Sequence, residues 1–225
     1  MALGTPTLAT PTVGIAGTSS TTASFTPTLG ALLLAFGSSR AAVLVGALTL
    51  TPSALTWIPL TAGLHDLGSS TRVRVAAWAA VVSSASAMTL QVSSSSATKT
   101  SLSVAQITGA GGIPGNAAAN PDPGGTANPT VTLGSAPAAA STVFGYMAAL
   151  GSTAITAPAG YLELDEFIAN TDLISELAYD AGSAATSASW ATSNARGVGL
   201  LVEVQQSSGG SRVPSRPSSR HMLIR

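Results

Sequence analysis

The sequence predicts an all-β fold, an antiparallel β-sandwich with extended N- and C-terminal arms, and three observations carry that expectation. Short apolar runs with β-branched residues recur along the chain, separated by clusters of Gly, Pro, Ser and Asn, the punctuation of strands and turns. Several runs alternate. In Arg72-Val73-Arg74-Val75 the arginines fall on one face and the valines on the other, and Thr100-Ser101-Leu102-Ser103-Val104-Ala105 repeats with period two near its middle. Such alternation sets one face on a core and one toward solvent. Ala-rich pieces such as 76–82 and 136–141, which intrinsic propensity would make helical, are interrupted, and few cap signals lead into a long amphipathic period. A length of 225 residues fits one large sandwich, or two small units sharing a core.

Residues 1–21 are rich in Thr, Pro and Gly; Pro6 and Pro11 bar a regular helix, so the segment reads as an extended arm or edge strand. A sandwich domain over 22–206 follows, with strands expected at 22–26, 31–37, 42–50, 55–60, 71–82, 87–92 and 100–107. Residues 109–129 read as one long Gly/Pro/Asn-rich loop, and loops of that length are usually functional or mobile. Beyond it, strands are expected at 130–133, 141–150, 161–167, 173–179, 185–190 and 197–204. If one helix exists it is 172–179, with Asp172 as N-cap and Ser175 and Glu176 in the first turn. The apolar run 29–50 has the hydropathy of a membrane span, but Arg40 at mid-bilayer would cost roughly 2.5–3.5 kcal/mol. It reads instead as two strands around a turn at Gly37-Ser38-Ser39-Arg40, and no membrane partner is expected.

The long loop divides the chain into two halves of similar plan. Runs at 31–37, 55–57, 75–78 and 102–106 are followed by runs at 142–147, 160–162, 177–179 and 200–205, with Trp78 and Tyr179 in similar places. This is a weak repeat of strand order.

Several of these runs carry a family likeness. Thr26-Pro27-Thr28-Leu29-Gly30-Ala31-Leu32-Leu33-Leu34 resembles the "TP-x-x-G-SLLL" opening of a β-sandwich domain common in bacteriophage virion proteins and bacterial surface proteins. Leu55-Thr56-Trp57 stands where that family has "NTWT", Val75-Ala76-Ala77-Trp78-Ala79 where it has "VAVWYA", and Met88-Thr89-Leu90-Gln91-Val92-Ser93 where it has "TVTVTFS". Gly199-Leu200-Leu201-Val202-Glu203-Val204 matches the closing "AVLVAFK", while the family's "DS-x-GN" turn is replaced by Thr51-Pro52-Ser53-Ala54. The likeness covers roughly residues 22–206. It implies a jelly-roll-like sandwich and a role as a tail, capsid-decoration or fibre component, with other capsid or tail subunits and further copies of itself as partners.

Composition points the same way. Only 8% of the residues are charged, against roughly 25% in a typical domain; Ser, Thr, Ala and Gly fill the gap. Residues 1–211 hold five basic groups and nine acids, net −4, whereas 212–225 hold four arginines and no acid, net +4. There is no cysteine, and the first residues show neither a basic n-region nor an early apolar run, so no signal peptide is expected.

Catalysis has little to draw on, and no enzyme, metal or cofactor is expected. His65-Asp66 is an adjacent pair in a Gly-rich turn with no nucleophile beside it, and His221 lies in the tail. Glu163, Asp165 and Glu166 form the densest acidic cluster. Glu163 and Asp165 are expected on one strand face; a glycosidase pair or a calcium ion would need a second constellation or Asp/Asn-Gly spacing that is missing. Gly109-Ala110-Gly111-Gly112 lacks the helix and Lys-Ser/Thr of a phosphate loop. Trp57, Tyr161 and Trp190 are the candidate contacts for a host-surface glycan, the alternative function, although aromatics in a sandwich mostly fill cores. The basic segment 207–225 is the candidate assembly arm. Arg212, Arg216, Arg220 and Arg225 are set to pair carboxylates on a neighbouring subunit, and Met222, Leu223 and Ile224 to fill a pocket there. Without interleaved aromatics it is a thin footprint for nucleic acid.

Overall fold

The computed structural model describes residues 2–42, 46–51, 54–65, 72–121, 129–151, 153–169, 172–182, 185–191 and 197–208. Among the described residues all regular structure is strand. The first half contains β1 (Thr7–Ala16), β2 (Ser19–Thr21), β3 (Leu32–Ala41), β4 (Leu48–Thr51), β5 (Ile58–His65), β6 (Arg72–Val81), β7 (Gln91–Ser94) and β8 (Lys99–Ile107). The second contains β9 (Asn116–Pro121), β10 (Thr130–Thr132), β11 (Thr142–Ala149), β12 (Leu162–Ala169), β13 (Leu173–Ala181), β14 (Ser187–Ser189) and β15 (Gly197–Val204).

Two five-stranded antiparallel sheets dominate, ordered β1-β8-β3-β6-β5 and β9-β15-β11-β13-β12. Strand for strand this is one order used twice: leading edge, last strand, first long strand, third, second. Each large sheet has a small companion, β2-β7-β4 in the first half and β10-β14 in the second, where Thr156 bridges Ala191 beside β14. The repeat reaches single hydrogen bonds. Thr28 N–H donates to Gln106 Oε1 at 3.2 Å and Ala138 N–H to Glu203 Oε1 at 2.7 Å. Both close a turn entering the first long strand, in which Ala31 N–H reaches Thr28 O and Ser141 N–H reaches Ala138 O, each at 3.1 Å.

Three cores follow from these layers. The inner faces of the large sheets meet through Leu32, Leu34, Phe36, Val75, Phe144, Tyr146, Leu177, Tyr179, Leu200 and Val202, with the Phe36 and Tyr146 rings stacked at 5.5 Å between centroids. The outer face of the first sheet packs on its companion through Leu33, Trp78, Leu90, Val92, Leu102 and Val104. The outer face of the second packs through Val131, Met147, Ile174, Trp190 and Leu201. The chain is thus two sandwiches back to back. Central strands are covered on both faces, so β3, β11 and β15 are buried almost throughout, with little alternation.

Four expectations are corrected. Gly37-Ser38-Ser39-Arg40 is not a turn: β3 runs through it. These small residues sit where layers press together, a Cβ on Gly37 would lie 2.8 Å from Val92 Cγ2, and Ser38 has a buried hydroxyl partner across the strand pair. The strand expected at 173–179 is there as β13, so the helix weighed for 172–179 does not form: alternate residues of the segment feed two different cores. Loop 109–129 contains β9, which pairs with β15. Trp78 and Tyr179 are not equivalent, since Trp78 faces the outer core of its half and Tyr179 the inner one. The stretch read as an arm or edge strand holds β1, at the edge of the first large sheet and paired with β8.

Candidate functional site

The inner seam between the halves is polar at its centre. Ser101 Oγ lies 2.6 Å from Ser38 Oγ, 3.1 Å from Tyr146 OH and 3.1 Å from Ser175 Oγ, all buried. Burial holds the Tyr146 phenol above its ordinary range against the lowering effect of these hydroxyls. At the rim, Asp172 pairs with Lys99 at 3.0 Å and Arg40 at 3.4 Å, tying β8 and β3 to the start of β13. These groups satisfy one another and hold the halves in register.

Acidic side chains gather on β12 and β13, and one of them, Glu176, is buried without a partner. Leu164 is an extra residue between Glu163, opposite Ala178, and Asp165, opposite Leu177. That bulge breaks the period-two count, so the expected pairing of Glu163 with Asp165 on one face does not occur. Glu163 and Glu166 share the outer face, while Asp165 turns inward to a cleft of about 360 Å³ beside Leu8, Pro11 and Phe167. Glu176, directly opposite Glu166, is fully buried, and neither carboxylate oxygen has a hydrogen-bond partner. Burial, then repulsion from Glu163 and Glu166, pushes its pKa from an ordinary 4.5 up to about 8. Glu176 is therefore a neutral acid at pH 7, set beside two outward-facing carboxylates. Glu166 is anchored, accepting the Ile155 N–H at 2.5 Å.

Glu203 shows the opposite outcome. Burial would raise its pKa, but hydrogen bonds from Ser141 Oγ (2.6 Å), Asn116 Nδ2 (2.8 Å), the Ala138 N–H (2.7 Å) and Gln205 together hold it below the carboxylate range. It is a clamp on the turn into β11.

The aromatic candidates do not form a platform. Trp190 is fully buried, with its ring on two glycines of adjacent strands: a Cβ on Gly145 or Gly199 would lie 2.8 or 3.0 Å from it. Tyr161 is buried beneath the same layer, and burial followed by the nearby Asp180 holds its phenol above its ordinary range. Trp57 is half-buried against the first outer core. Stacking a sugar on Trp190 or Tyr161 would require opening a core.

Two cavities, of about 560 Å³ along Gly111–Asn116 and Gln205 and about 370 Å³ between Thr21, Leu55, Met88 and Gln91, have no titratable side chain among the described residues of their walls. Among the described residues no group of three or more His, Cys, Asp or Glu is placed to hold a metal ion. The His65 side chain, Asp66, Asp122, His221 and the whole arm from Arg212 through Arg216, Arg220, Met222, Leu223 and Ile224 to Arg225 lie outside the described residues. Glu176 stands outside the acidic cluster that the sequence offers, which takes in only the closely spaced Glu163, Asp165 and Glu166. On a strand count it falls between Ile174 and Ala178 on an apolar face, and that misplaced acid is the signal. Comparison of the chain with family models, with curated proteins and with solved structures finds no match.

Proposed function

We propose that the chain is a structural subunit of a bacteriophage virion, tail-associated as a minor tail protein or bound to the capsid as a decoration, acting through assembly contacts and not through turnover. The observation that carries this reading is where the fold places its residues. Both large sheets are covered on both faces and the largest rings fill cores. With 8% charged residues in the whole chain, the surface is left mainly to hydroxyls and small side chains. Such a surface gives up its water at lower cost than a charged one, which suits a module packed among neighbours. The motif order shared with virion sandwich domains supports the same reading. In it the two fused sandwiches are a stiff spacer, and segment 207–225 is the link to capsid or tail subunits.

The test is incorporation. Particles assembled with the full chain should carry it after purification, with antibody-gold label on tail or shell, and a chain ending at residue 206 should fold yet remain unincorporated. Purified particles that lack the full chain would refute the reading.

A further inference from the structure

β12 is the edge of the second large sheet. It pairs with β13 on one side, and among the described residues no strand pairs with the other. Its ends expose Leu162 (60%) and Ile168 (46%), and Glu163 and Glu166 face outward between them. Behind them sits Glu176, buried and without a partner. Charge is gathered here. Residues 1–108 hold four basic groups and one acid, net +3, whereas 109–206 hold one arginine and eight acids, net −7, six of the eight between 163 and 180. At the Leu162 end a cavity of about 280 Å³ is lined by Leu3, Pro6, Ala140, Leu162 and Tyr179.

We propose that segment 207–225 of one copy docks along the β12 edge of a second copy, its arginines meeting Glu163 and Glu166 and Met222-Leu223-Ile224 entering the cavity beside Leu162. Three properties of the segment fit. It is +4 against a body of −4, so copies attract end to face. Its prolines at 214 and 217 bar a regular helix, leaving it suited to adding beside a sheet edge. Arg212 to Arg220 is eight residue steps, about 27 Å when extended, which matches the length of the eight-residue β12.

The cavity also decides whose segment it is. Gln206, the residue before the segment, lines the same cavity as Leu162, and Ser207 N–H donates to Gly109 O at 2.8 Å beside it. With its apolar end in the cavity, the arm runs antiparallel to β12. A chain docking on itself would have to leave the cavity, travel the length of β12 and double back, whereas a second copy approaches from outside. The partner is therefore another copy, in a head-to-tail or a reciprocal pairing. The inference deepens the assembly reading and rests on it for its setting, but its test uses the purified chain alone, so either can fail without the other.

Sedimentation of the full chain at about 50 mM and about 500 mM salt should show self-association that weakens at least several-fold at the higher salt. A chain ending at residue 206 should be monomeric and should bind a synthetic 207–225 peptide. Glu163→Lys, at an exposed position, should weaken both self-association and peptide binding by about three- to tenfold, with Arg72→Glu on the other half as the control that does not. A monomeric full chain whose truncated body binds the peptide would mean docking in cis and would overturn the second-copy assignment. Failure of the truncated body to bind the peptide, or binding indifferent to Glu163→Lys, would overturn the β12 site.

Discussion

Glu176→Gln should stabilise the protein, and by more the higher the pH. The wild-type carboxyl is raised from 4.5 to about 8 by burial and by Glu163 and Glu166. Between those values the unfolded chain has released the proton and the folded chain still holds it. Stability therefore falls as pH rises across that window, by up to about 1.4 kcal/mol per pH unit, and is flat in this respect below 4.5 and above 8. The full window corresponds to roughly 5 kcal/mol, and relaxation around a buried charge brings the expected loss to about 2–5 kcal/mol. The neutral amide removes that dependence while keeping the shape. Urea unfolding of both proteins should give stabilities within about 1 kcal/mol near pH 4.5 and a gap of about 2–5 kcal/mol in favour of the variant near pH 9. Parallel pH profiles for the two proteins would show that Glu176 ionises normally in the fold and would remove the account of this site.

The repeat supplies a matched pair of backbone tests. Ala140 has φ 62° where its counterpart Gly30 has φ 77°, so Ala140→Gly should gain and Gly30→Ala lose about 0.5–1 kcal/mol, read as melting shifts of opposite sign. Ser101→Ala removes the hydroxyl that Ser38, Tyr146 and Ser175 share; it should cost about 1–3 kcal/mol, seen as a lower urea midpoint at unchanged slope.

Strand character was legible wherever burial on one or both faces forces apolar runs between turn residues, and segments 31–37, 71–82, 100–107, 141–150 and 197–204 all fall on long strands. What escaped the sequence depends on neighbours that are distant in it. β9 is an Asn-Ala-Ala-Ala-Asn-Pro stretch whose pairing comes from β15, so it looks like loop until that partner is known. Gly37-Ser38-Ser39 has turn composition, yet its small size is needed where Trp78, Val92 and Ser101 crowd β3. The acidic site was half visible. The cluster of Glu163, Asp165 and Glu166 stood out, but the bulge at Leu164 that sorts it onto two faces is a property of pairing with β13. A weak repeat of order showed in the sequence, whereas the register that separates Trp78 from Tyr179 did not.

The back-to-back halves also bear on symmetry. A sandwich dimer made of two identical chains would display each acid twice, on opposite sides, and would come apart on dilution. Here the two faces are joined covalently, so their mutual concentration never falls, and each is free to carry its own charge: +3 on one, −7 on the other. The molecule has the rigidity of a two-fold assembly without its sameness, and so it has a direction.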